Sequence, residues 1–144
     1  MTLSVAFYKG TRPGLAGIYN RVVRWWEPGK YSHCELVFSD GLSASSSYKD
    51  GGVRFKKIDF NPDNWDFIEI PANLEPAAFM WFTRHIGEGY DLVGNLRFLF
   101  DFIRNRNDKW FCSEALAESL GMVDSWRLGP NGLAAVLKYL NERK

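Results

Sequence analysis

Between residues 31 and 70 the chain doubles back every few residues, and an antiparallel sheet is the simplest arrangement that pairs its backbone. Tyr31-Ser32-His33-Cys34-Glu35-Leu36-Val37-Phe38 is rich in strand-forming residues, and Ser39-Asp40-Gly41 ends it with a hairpin signal. Leu42 to Tyr48 is serine-rich, and Asp50-Gly51-Gly52 turns the chain into Val53 to Ile58, where Val53, Phe55 and Lys57 share one face. Trp65 to Ile70 reads as a further strand. Earlier still, Leu3, Val5 and Phe7 alternate with Ser4, Ala6 and Tyr8.

Helical spacing flanks this region. One helix is predicted over Ala16 to Trp26, closed by Glu27-Pro28-Gly29. After Pro71 the period changes for good: Asn73 is a candidate cap for a helix over Leu74 to Ile86, and Gly87 and Gly89 stop it. Tyr90 to Arg104 carries an apolar stripe through Leu92, Val93, Leu96, Leu99, Phe100 and Ile103, with Phe98 and Phe102 as a second pair. Pro130 suits the first turn of a last helix. The fold class is therefore α+β: a single domain over residues 1–144, with a mostly antiparallel sheet or half-barrel packed against helices.

Composition narrows the function classes. Eighteen basic and 17 acidic residues leave a net charge of +1, so no nucleic-acid partner is expected. Arg97, Arg104, Arg106 and Lys109 read as a solvated face. Met1 to Tyr8 lacks the order of a signal peptide, and the longest apolar run, Leu92 to Ile103, is interrupted by Asn95, Arg97 and Asp101. No transmembrane segment is expected, and a cytoplasmic location follows. Two cysteines are too few for a disulfide scaffold and suit a reducing compartment.

Those cysteines carry the chemical interest. Trp110-Phe111-Cys112-Ser113-Glu114 runs into Ala115-Leu116-Ala117-Glu118-Ser119-Leu120-Gly121, which places Cys112 at the first turn of a helix. Unpaired N–H groups and the positive end of the helix dipole lower a thiol's pKa there. His33 is one of only two histidines, and strand alternation points it with Glu35 and Val37, opposite Cys34, Leu36 and Phe38. Ser45 follows twelve residues later, on the neighbouring strand, as a third polar group to orient the ring. The Cys112 helix is expected against the face that bears His33. A zinc site from His33, Cys34, Cys112 and His85 is disfavoured, because adjacent strand residues point to opposite faces and no metal-ligand spacing is present.

The ordered set Tyr31 to Phe38, Gly51-Gly52-Val53, Tyr90-Asp91 and Trp110 to Glu114 resembles the permuted papain-like branch of the NlpC/P60 superfamily. That branch includes YiiX-like bacterial and phage hydrolases and the lecithin retinol acyltransferase group. The His strand precedes the Cys helix, as the permutation requires. The resemblance implies a cysteine hydrolase of peptidase or amidase type, with Cys112 as nucleophile, His33 as general base and the Cys112 backbone N–H in the oxyanion hole. Relatives carry His, Asn, Gln or an acid where this chain has Ser45, a weaker orienter, so Glu35 and Glu114 are alternative partners. The implied substrate is a peptide, isopeptide or acyl ester, with no cofactor and no metal. The implied setting is the cytoplasm of a bacterium, or a phage-encoded protein. A non-catalytic papain-like binding module and a lipid acyltransferase or thioesterase are the alternatives.

Overall fold

The computed structural model describes residues 2–10, 29–90 and 109–143. The helix expected over Ala16–Trp26, the one expected over Tyr90–Arg104 except Tyr90 itself, which lies in a strand, the Phe98 and Phe102 pair and the basic face at Arg97, Arg104 and Arg106 lie outside the described residues. Five strands build the main sheet: β1 (Ser4–Tyr8), β2 (His33–Val37), β3 (Ser43–Ser47), β4 (Gly52–Lys56) and β5 (Trp65–Glu69). Their order is β4-β3-β2-β1-β5, and every neighbouring pair is antiparallel. A short parallel pair, β6 (Gly89–Tyr90) and β7 (Lys109–Trp110), lies beyond it.

Alternation sorts the side chains into two faces. Val5 and Phe7, Cys34 and Leu36, Ala44, Val53 and Ile68 point into one large core. Against it lie α1 (Glu75–His85) through Ala78 and Phe82, α2 (Cys112–Ser119) through Ala115 and Leu116, and α3 (Pro130–Glu142) through Leu133, Ala134 and Leu137. The other face holds a smaller cluster of Ala6, Val37 and Trp65 flanked by Tyr8 and Phe60. His33 sits edge-on to Trp65 on this second face, with ring centroids 6.3 Å apart. α2 thus covers the Cys34 and Leu36 face, which corrects the expectation that it would cover the face of His33.

Two local features position the site. Asn131, in the first turn of α3, accepts from the Tyr31 N–H and donates to the Tyr31 carbonyl, both at 2.9 Å, and so pins the chain two residues before His33. At the other end, Val53 N–H donates to the Glu88 carbonyl at 2.8 Å and ties the exit of α1 to β4. Gly52 makes that approach possible: its φ is +139°, and a Cβ there would lie 1.9 Å from the Glu88 oxygen.

Candidate active site

Cys112 is the first residue of α2. Phe111 before it is extended at φ −93° and ψ 165°, good helix formers follow, and Gly121 adopts φ +75° just past the end. The entering strand is held from both sides. Ser46 Oγ donates to the Trp110 carbonyl at 2.5 Å, and the Trp110 indole N–H donates to the Glu88 carboxylate. First-turn N–H groups of α2 have no carbonyl within the helix to bond, which places donors and a partial positive charge around the sulfur. Glu114, also in that turn, is fully buried.

The helix and the imidazole approach from opposite faces, and the sheet lets them meet. β2 and β3 pair only at Leu36 with Ala44 and at Val37 with Ser43, so toward His33 the two strands are no longer joined by a ladder. At that end Cys34 and His33 both lie near enough to the Cys112 sulfur to favour its thiolate. The thiol of Cys34 is the largest influence on Cys112. Burial opposes it, but the charge and hydrogen bond of His33 join it, and together they hold Cys112 well below the ordinary thiol range.

His33 Nε2 lies 2.7 Å from Glu35 Oε1, which leaves Nδ1 for the sulfur. Burial, the strongest single influence on the imidazole, pushes its pKa down. The Cys112 thiolate and then the Glu35 carboxylate more than reverse this, and His33 is raised to about 9. Glu35 is itself buried, which would raise its carboxyl. Hydrogen bonds from Arg54 and His33 override that and keep it below the usual range. The Arg54 guanidinium grips Glu35 with two bonds, Nη1 to Oε2 at 2.7 Å and Nη2 to Oε1 at 2.6 Å. Its Nε donates to Asp50 at 2.8 Å. Although partial burial works against it, Arg54 and Lys56 lower Asp50 to about 2.

Ser45 does not turn to the imidazole: its hydroxyl donates to the Cys34 carbonyl at 2.7 Å, a side-chain bond from β3 to β2 beyond the end of their ladder. It stands opposite Arg54 on β4, between that guanidinium and Glu35. A small side chain at this point lets Arg54 reach across β3, a span of about 10 Å for two strand spacings. The acid that faces the ring is therefore Glu35, two residues along the same strand. Arg54, which holds that acid, and Asp50, which holds Arg54, went unremarked in the sequence. A buried carboxylate needs a cation, but the alternating pattern by itself names no partner two strands away.

A cleft of about 720 Å³ opens on the His33 side of the sheet, lined by Glu35, Ser47, Tyr48, Arg54 and Trp65 among others. His85 lies instead stacked on Trp81, with centroids 3.9 Å apart. Among the described residues no three His, Cys, Asp or Glu side chains are placed to share a metal ion. None of their helices is long and apolar enough to cross a membrane. No protein-family model matches the chain, and no curated protein sequence matches it either. The chemistry of the site stands on its own atoms.

Proposed function

We propose that this chain is a cysteine hydrolase of peptidase or amidase type, acting on an amide or ester carbonyl, with the permuted papain-like architecture that its motif order resembles. One observation carries the reading: a thiol at a helix N-terminus and a buried imidazole each favour the charged form of the other, and the ring's Nε2 is held by a carboxylate. At neutral pH the pair is thiolate and imidazolium. Cys112 Sγ attacks the carbonyl carbon, and the C–O π electrons move onto oxygen, where the Cys112 backbone N–H donates to the oxyanion. Collapse expels the amine or alkoxide, which takes the proton from His33. Water then yields a proton to His33 and attacks the thioester. The acid leaves, and the thiolate returns. Glu35 fixes the tautomer and favours the imidazolium, while Arg54 keeps Glu35 ionised inside the protein.

The test is a screen of purified protein against peptide, isopeptide, thioester and lipid-ester substrates. Turnover of one of them, lost in Cys112→Ala and reduced by about 10²-fold or more in His33→Ala, is the expected result. Parent-level activity in Cys112→Ala overturns the nucleophile assignment. Preference for lipid esters or transfer to an acceptor other than water would move the assignment to the acyltransferase or thioesterase class with the same residues.

A further inference from the structure

The hydrolytic cycle gives no task to the cleft on the His33 side of the sheet, and neither Cys112 nor His33 is among the residues that line it. Its floor is the Glu35 and Arg54 pair together with Trp65, and two chain segments wall it. Tyr48, Lys49 and Asp50 stand in the turn from β3 to β4, while Lys57, Ile58 and Asp59 follow β4. Phe60, next along, packs edge-on to Trp65 with ring centroids 4.9 Å apart, and so holds that second segment over the sheet. At about 720 Å³ the cleft has the size of a small-molecule site.

The charges around this space are unevenly matched. Arg54 bonds both Glu35 and Asp50, and Lys56 Nζ lies 3.1 Å from Asp50, so these two cations and two carboxylates satisfy one another. Three of the five guanidinium N–H groups are used in this way, and the other two have no partner among the described residues. Lys49 and Lys57 remain, against the carboxylate of Asp59 alone. Both lysines are exposed, and neither makes an ion pair among the described residues. The surplus of one positive charge suits a carboxylate better than a phosphate monoester, which carries nearly two negative charges. Trp65 and Tyr48 line the same space, and aromatic walls favour a flat apolar body. We propose that the cleft binds a carboxylic acid with a flat, apolar body, its carboxylate attracted by Lys49, Lys57 and the spare N–H groups of Arg54 and its body lying against Trp65 and Tyr48. Such a ligand lies one side chain from the imidazole, since Glu35 on the floor is 2.7 Å from His33. Binding requires neither the Cys112 sulfur nor turnover, so the site stands apart from the function proposed above.

Titration of the full chain with naphthalene-2-carboxylate, followed by NMR, tests the site without a substrate. Saturable binding is expected to shift the Trp65 indole N–H and the Tyr48 and Ile58 amides and to weaken with added salt. The uncharged naphthalene-2-carboxamide should bind about tenfold or more weakly, because it keeps the body and lacks the charge. Reversing both rim charges in the double variant Lys49→Glu, Lys57→Glu should weaken the acid by about tenfold or more while the far-ultraviolet dichroism stays that of the parent. Should the double variant unfold, Lys49→Gln and Lys57→Gln replace it, each expected to weaken the acid about threefold. Absence of saturable binding, equal affinity for acid and amide, or unchanged affinity in the charge variants overturns the site, and tighter binding of 2-naphthyl phosphate overturns the carboxylate. Binding by a protein inactive on every substrate keeps the site and sinks the hydrolase reading, and hydrolysis without binding does the reverse.

Discussion

At the scale of single residues, the His33 imidazole is the group whose charge reports on the whole site. Its pKa is raised to about 9 because Cys112 and Glu35 both favour the protonated ring. Removing one of those anions must lower it. In Glu35→Gln the amide keeps the shape but not the charge, so the His33 titration followed by NMR should move from about 9 toward the ordinary value of 6.5. An unmoved midpoint would remove Glu35 from its positioning role. Ser45→Ala is the matching control: it deletes a bond to the Cys34 carbonyl, costs about 1 kcal/mol, and leaves the titration where it was. The same shift bears on stability. Because the folded pKa lies above the unfolded one, the contribution of His33 is fully present below pH 6.5 and fades as pH rises through about 9.

Among the elements, the link between α1 and β4 shows how a remote glycine bears on the position of Cys112. Gly52 lets the Glu88 carbonyl reach Val53, and the Glu88 carboxylate in turn takes the Trp110 indole two residues before Cys112. Gly51 has φ +82° but open space around its missing Cβ. Gly51→Ala should therefore cost only the left-handed backbone, about 1–2 kcal/mol. Gly52→Ala should cost clearly more in a denaturant titration and slow the alkylation of Cys112, since its Cβ has backbone to displace; equal costs would show that the contact is not tight. Elements of this kind were legible in the sequence to different degrees. Strand alternation, the Asp40-Gly41 turn and Pro130 each act through neighbouring residues, and the five strands, the start of α3 and Cys112 at the head of α2 agree with them. Asn73 makes no cap. Pro76, which lacks an N–H to satisfy, sits in the first turn of α1, and Ala72–Leu74 before it form a 3₁₀ turn. The face covered by α2 and the grip of Arg54 on Glu35 depend on register between strands distant in sequence, and no local pattern encodes that.

At the scale of the molecule, the sheet and the three described helices share one core. Phe7, Leu36 and Leu116 are all completely buried in it. Neither layer keeps an apolar face covered without the other, so the thiolate should vanish together with the sheet. Its ultraviolet absorbance and the far-ultraviolet dichroism are expected to share one midpoint in denaturant; two separated transitions would mark α2 as a unit that detaches by itself. The place of β1 inside the sheet has a further consequence. Phe7 pairs with Cys34 on one side and Asp66 on the other, so the earliest strand waits for partners that emerge from the ribosome later. The helices that roof Val5 and Leu36 emerge later still, with Leu116 and Leu133. A nascent chain displaying β1 to β5 has its imidazole and its carboxylate but not yet Cys112, whose thiol turns acidic only when the last layer closes. Synthesis itself thus delays the acidic sulfur until its surroundings have folded.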